Sequence, residues 1–354
     1  MAKFFTSRTD LISLFILGCL AAVPLLANAL EQPYYMTLVS RIMVFALAAV
    51  GLNLVLGFGG MVSFGHALYV GIGAYAVGIL SFHGVNNGYI QLLVALAAAA
   101  AFAIIIGAIV VRSTGMTFIM ITLAFAQMGF FLAISLKQYG GDDGLPVASR
   151  SLFFGLKDFL GFNLDSHVTL YYAIFATLLL VLWLLSRVLG SRFGLTLRGI
   201  QSNERRLQAL GYATARYKLL AYVMSALICA LAGFWLANLT KFAAPSYMAW
   251  TVSGELIVMA VLGGMGYLLG PVVGALVLLL LEEFLSNYKP DWSPALADLL
   301  TNHWLGVIGI LIFVFALFAR HGILGALHIQ TTHKVTHKAT HKTTEKNADA
   351  KEVA

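Results

Sequence analysis

The sequence predicts an all-α polytopic membrane protein of about ten transmembrane helices, some broken or re-entrant, with both termini cytoplasmic. Three observations carry this expectation. Hydrophobic residues make up 60% of the 354 and charged residues only 10%, with a mean hydropathy of +0.89, a balance that soluble domains do not show. Several windows, among them 92–111 and 168–185, keep roughly 20 residues almost free of charge, the length a bilayer core requires. These windows are continuously apolar and rich in Ala, Leu and Ile, whereas barrel strands alternate apolar with polar residues.

Apolar runs read against their breakers place spans near 11–30, 36–56, 63–82, 90–111, 116–136, 168–188, 217–238, 252–265, 268–286 and 303–319. The first follows Lys3 and Arg8 and ends in Ala27-Asn28-Ala29. That is the pattern of a cleavable signal peptide, but in a chain with many further spans an uncleaved signal anchor is the simpler expectation. The run at 252–265 is too short to cross alone and reads as half of a broken helix.

Orientation follows from basic residues beside span ends. The stretch from Arg187 to Lys218 carries Arg187, Arg192, Arg198, Arg205, Arg206, Arg216 and Lys218 against the single acid Glu204, so it belongs in the cytoplasm. The other large loop holds Lys137, Arg150 and Lys157 against Asp142, Asp143, Asp158 and Asp165, as expected of a translocated segment. The expected organisation is a cytoplasmic N-terminus at 1–10 and a transmembrane domain at 11–320, with a periplasmic loop at 137–167 and a cytoplasmic loop at 189–216. Beyond it, 321–354 is a tail built on a repeat of Thr, His and Lys, with His333, His337 and His341 four apart. It lacks the apolar content for a core and is expected to be disordered, a basic tail attracted to anionic lipid and no metal site.

The net charge of +7 therefore orients the chain in the membrane and does not imply a nucleic-acid partner. Cys19 and Cys229 each lie inside an apolar run, so no disulfide or paired-cysteine metal site is expected. The sequence has no Gly-Lys dipeptide and hence no phosphate-cradling loop, and it has no HExxH or GxSxG pattern. No catalytic residue, metal or cofactor is assigned to this chain, and active transport would need energy from an ion gradient or a separate ATPase. Ionisable groups inside the spans are few: Arg41, His66, Glu255 and the pair Glu282-Glu283, all near span ends, where snorkelling accounts for them. A docking surface is better supported. Within 192–218, Ser202 or Asn203 is placed to cap a short helix with Glu204 in its first turn and Gly211 at its end. Leu207 and Leu210 give that helix an apolar face beside Arg205 and Arg206.

Several separated motifs carry a family resemblance. They are Gly51-Leu-Asn53-Leu-Val-Leu-Gly57 with Gly59-Gly60-Met-Val-Ser63-Phe-Gly65-His66-Ala67 and Gly71-Ile-Gly73-Ala-Tyr75; Thr122-Leu-Ala-Phe-Ala-Gln127; Gly140-Gly141-Asp142-Asp143-Gly144-Leu145; Arg198 to Gly211 with Tyr217-Lys218; and Glu255 with Val261-Leu-Gly263-Gly264-Met-Gly266 and Leu269-Gly270-Pro271. Over about 40–320 the chain resembles the second permease subunit of branched-chain amino-acid ABC importers of the bacterial inner membrane. The resemblance implies that this chain forms half of a pore. Two cytoplasmic ATPase subunits would bind ATP and Mg, and a second related permease subunit and a periplasmic substrate-binding protein would complete the complex, in contact with membrane lipid. It implies an ATPase-coupling role for Arg198, Glu204, Arg205, Arg206, Leu207, Ala209, Leu210 and Gly211. Asn53, Ser63, His66, Thr122, Gln127 and Glu255 are the expected substrate-path residues.

Gly57, Gly60, Gly65, Gly263, Gly264, Gly266 and Gly270 are expected to break or closely pack helices, and Gly59-Gly60-Met61 echoes Gly263-Gly264-Met265, an internal repeat of interrupted segments. Two departures from the family pattern are Tyr267, where small residues are commoner, and the tail. A same-fold permease for urea, amides or aromatic amino acids is the alternative; a gradient-driven transporter lacks the intramembrane charges it needs, and a passive channel would not need the docking loop.

Overall fold

The computed structural model describes residues 17–25, 33–153, 164, 166–287, 306–313 and 322–325. From residue 33 to 287 the described helices are α1 (Pro33–Leu56), α2 (His66–Phe82), α3 (Gly88–Val110), α4 (Met116–Ser135), α5 (His167–Gly190), α6 (Arg192–Ala209), α7 (Thr214–Thr240), α8 (Trp250–Gly263) and α9 (Gly270–Asn287). Five of these, α1, α3, α4, α5 and α7, are long and apolar enough to cross a membrane, and α2 and α8 are shorter apolar helices. The chain is a polytopic helical membrane protein. The expected spans at 11–30 and 303–319 fall largely outside the described residues, which contribute helix at 17–25 and 306–313. The tail beyond 325 with its histidines, and the N-terminal 1–10, also lie outside.

α7 packs against α1, α2 and α3. In lipid there is no hydrophobic drive between helices, so close backbone approach and dispersion must hold them, and small residues mark each crossing. A Cβ at Gly73 would stand on the backbone carbonyl of Ala230, and one at Gly233 on that of Val70, so α2 and α7 meet backbone to backbone. At the α1–α7 crossing the Ser225 hydroxyl donates to the Gly51 carbonyl at 2.5 Å, and Ile228 occupies the space a Gly51 side chain would need.

At one end of the bundle, Leu145–Pro146 (β1) pairs antiparallel with Phe242–Ala243 (β2), a short long-range strand contact the sequence did not suggest. Loop residues beyond β1 are pinned beneath it. The Ser151 amide donates to the Asn238 side-chain carbonyl at 2.8 Å, the Ser151 hydroxyl donates to Gln91 at 2.5 Å, and the buried Arg150 guanidinium donates to the backbone carbonyls of Asn238 and Leu164. The helices at the opposite end are linked by α6 and by two unwound segments, 57–65 and 264–269.

Candidate functional site

The first unwound segment begins where α1 stops. Gly57 and Phe58 both donate to the Asn53 carbonyl, at 2.8 and 3.3 Å, and a Cβ at Gly57 would collide with the Asn53 side chain and the Gly266 amide. Gly60 turns the chain with φ +67°, a conformation that costs glycine least. Gly65 then stands at the N-cap of α2, with Thr122 of α4 where a side chain would project.

The second unwound segment, 264–269, meets the first. The Asn53 amide donates to the Tyr267 carbonyl at 2.9 Å and accepts from the Gly266 amide at 3.3 Å. One side chain thus ties both breaks together. Gly263 ends α8, Gly264 and Gly266 have φ of +118° and +80°, and Gly270 opens α9. Any Cβ at Gly263 would overlap the Gly270 carbonyl, so α8 and α9 form a tight V closed by backbone contact. Tyr267 participates through its carbonyl, which leaves the Asn53 link independent of side-chain size there.

Just inside the first break, polar side chains satisfy backbone groups that the missing helix turn exposes. Phe64 donates its amide to the Thr122 hydroxyl at 3.2 Å, Gly65 its amide to the Ser63 hydroxyl at 3.2 Å, and Ala67 its amide to the Ser253 hydroxyl of α8 at 2.9 Å. Ser63, His66, Thr122 and Ser253 are all buried. His66 Nδ1 lies 2.8 Å from the Ser63 hydroxyl. Its ring meets those of Tyr69 and Tyr222 edge-on at 6.0 and 5.4 Å, and the Tyr69 hydroxyl donates to that of Tyr222 at 3.1 Å.

Asn53, Ser63, His66 and Thr122 are therefore brought to the breaks. Gln127 stands further along α4, half-buried, and Glu255 is exposed on α8; neither joins this cluster. Ser253, Tyr69 and Tyr222 were not singled out from sequence, because a serine or tyrosine in an apolar run carries no periodic signal.

The loop expected to bear a docking helix folds as α6 with a kink at Asn203 (φ −160°, ψ 96°). Its second half has Asn203 as cap, the side chain accepting from the Arg206 amide at 3.0 Å. Gly211 (φ +85°) terminates it, with Gly211 and Tyr212 donating back to the Gln208 and Leu207 carbonyls. The helical first half, from Arg192, was not expected from the sequence. Arg198 anchors it by donating to the Leu189 carbonyl at 2.7 Å, at the end of α5.

Polar side chains join α6 to the core. Gln201 donates to the Gly57 carbonyl at 3.0 Å, reaching the first break. Glu204 pairs with Lys218 of α7 at 2.5 Å, and the Thr214 hydroxyl donates to Glu204 at 3.1 Å. The Lys218 side chain is 6% exposed and that of Glu204 27%, so the pair is partly shielded and couples the helix to α7 more firmly than a surface bridge would. Leu207 tucks against Gly199, while Arg205, Arg206, Ala209 and Leu210 are exposed. Between Gly59, Gly60, Gly115, Gln201, Glu204 and Lys218 lies a cavity of about 310 Å³.

A bundle with paired helix interruptions, polar groups gathered at those interruptions and a tethered helix at one end defines the membrane subunit of a transporter. The chain belongs to the family of branched-chain amino acid transport system permease components, whose family model matches residues 34–317. It is a permease subunit of the bacterial inner membrane and not an enzyme. It is 25% identical over 290 residues to the high-affinity branched-chain amino acid transport system permease protein LivM of Escherichia coli (strain K12), covering 75% of this chain and 68% of that protein. To LivM of Salmonella typhimurium the identity is 26% over 266 residues, with 70% and 62% covered. The permease protein LivH of Escherichia coli (strain K12) is 29% identical over 259 residues, with 69% and 82% covered. No solved structure matches the chain.

Proposed function

We propose that this chain is one of two related permease subunits of an ABC importer that carries branched-chain amino acids into the cytoplasm. A periplasmic binding protein delivers the substrate, and two cytoplasmic ATPase subunits, which hold ATP and Mg, supply the energy. In this reading the chain crosses the membrane about ten times with both termini inside, the α6 end faces the cytoplasm and the β1–β2 end faces the periplasm. The basic residues clustered between Arg187 and Lys218 support that orientation.

The observation that carries the proposal is the Glu204–Lys218 pair. It fixes to α7 a short helix whose Arg205, Arg206, Ala209 and Leu210 are exposed, an arrangement suited to seating in a groove on an ATPase. Movement of that helix would pull α7 through Lys218 and the first break through Gln201. Asn53, Ser63, His66 and Thr122 then lie where the breaks open and close, with Gln127 and Glu255 further along the substrate path.

The test is affinity purification from native membranes with identification of co-purifying chains, followed by ATP-dependent uptake of leucine in proteoliposomes. Two ATPases and a second permease should be recovered. Glu204→Arg or Gly211→Leu should abolish uptake while the protein stays in the membrane. A chain that purifies alone and transports alone would overturn the proposal.

A further inference from the structure

Arg187 and Arg192 flank the turn between α5 and α6 and take no part in the breaks or in the Glu204–Lys218 tether. α5 has 24 residues and is about 36 Å long at 1.5 Å per residue, against a hydrocarbon core of about 30 Å, so its ends reach the headgroup layers. Leu180, Trp183 and Leu184 are exposed along one face of α5, and Arg187 continues that face one turn further on. The Arg187 guanidinium lies 5.5 Å from the centre of the Trp183 ring, which holds it at the border of the apolar stripe. Arg198 folds back to the same turn, donating to the Leu189 carbonyl at 2.7 Å. Leu195, one helical turn beyond Arg192, is also exposed. The guanidinium groups of Arg187 and Arg192 make no hydrogen bond or ion pair with a described residue. Among the described residues Glu204 is the acid at this end, and Lys218 holds it; Asp142, Asp143, Glu255, Glu282 and Glu283 lie towards the end opposite the breaks.

We propose that the α5–α6 turn holds an anionic phospholipid of the adjoining leaflet, its phosphate met by Arg187 and Arg192 and an acyl chain along Leu180, Trp183 and Leu184. Guanidinium groups match phosphate oxygens with parallel hydrogen bonds, and tryptophan belongs at the level where chain meets headgroup. The two parts of this surface call for the two parts of one molecule. A free phosphate leaves the apolar stripe unused, and a zwitterionic lipid brings a cation against arginines that have no free acid beside them to offset it. An acidic protein surface matches the arginines alone, because the stripe lies inside the bilayer, beyond the reach of a soluble partner. Bound there, the lipid anchors the first half of α6, while the kink at Asn203 leaves the second half to move separately. The site needs only that α5 crosses the bilayer, and it stands apart from the importer reading.

The experiment uses the protein purified from membranes with its accompanying chains, exchanged into detergent and titrated with phosphatidylglycerol or phosphatidylcholine of matched acyl chains. Bound lipid is counted by native mass spectrometry. Phosphatidylglycerol should be retained in preference. Arg187→Gln and Arg192→Gln should each weaken its binding about tenfold or more, the loss of a charge-assisted hydrogen bond. Arg112→Gln removes an equal charge from the exposed α3–α4 turn at the same end and should change binding little. Glycerol 1-phosphate, the headgroup chemistry without the chains, should fail to displace the lipid. A second reading leaves the arginines in place: Ser191→Cys, at an exposed position in the turn, should be labelled by a maleimide more slowly in phosphatidylglycerol than in phosphatidylcholine. Equal retention of the two lipids, equal labelling in both, an equal loss from Arg112→Gln, or displacement by glycerol 1-phosphate would overturn the site. So would arginine variants that lose a co-purifying chain while their lipid binding stays unchanged.

Discussion

Asn53 and Glu204 illustrate how much depends on single polar side chains in a chain that has few. Asn53 bonds the Tyr267 carbonyl and the Gly266 amide, so Asn53→Leu leaves two backbone groups without that partner. We expect a loss of about 1–3 kcal/mol for each that stays unsatisfied, seen as a lower melting temperature in detergent. Glu204→Gln keeps the shape but removes the charge facing Lys218; it should reduce ATP-driven uptake far more than it reduces the amount of protein in the membrane, which immunoblotting of membranes against initial uptake rates will reveal. Asn53 was legible as a candidate because an asparagine is conspicuous inside an apolar run. Lys218 was read as a basic residue orienting the chain and as part of a family motif, and not as the partner of Glu204, because nothing in a sequence reports that a residue fourteen positions from Glu204 will fold back onto it.

At the level of elements, the helix boundaries were legible wherever an apolar run met a polar or glycine-rich breaker. The expected run at 168–188 and the observed α5 at His167–Gly190 differ little, and the docking helix has Asn203 as its cap and Gly211 at its end. The first half of α6 was not, since its apolar positions Leu197 and Ile200 are buried against neighbours that periodicity alone does not locate. The β1–β2 contact was illegible for a related reason: it joins two-residue segments nearly a hundred positions apart, below any pattern length. The α2–α7 crossing gives an element-scale prediction. Gly233→Ala would set a methyl group on the Val70 backbone carbonyl and should sharply reduce the folded fraction, measured by size-exclusion profile and melting temperature. Gly190→Ala, with nothing within 4 Å of the new carbon, should be neutral or slightly stabilising, since alanine exceeds glycine by about 1 kcal/mol in a helix.

For the whole molecule, composition decided that the chain is a helical membrane protein before any residue was placed, because 60% hydrophobic content leaves no soluble alternative. The proposed division of labour with separate ATPases draws on an exposed basic helix joined to the core of the chain. If energy arrives through that helix, leucine uptake by the reconstituted complex should require ATP hydrolysis and persist when a protonophore collapses the proton gradient; inhibition by the protonophore alone would point to gradient coupling. The meeting of α2 and α7 also marks a place along the helix that carries Lys218. With bare backbone on both sides of the contact, α2 and α7 approach more closely than side chains would allow, and α7 is held there between its two ends. From Lys218 to Gly233 α7 runs about 22 Å, and from Gly233 to Thr240 about 10 Å, at 1.5 Å per residue. The contact therefore divides α7 unequally, with the longer part on the side of Lys218.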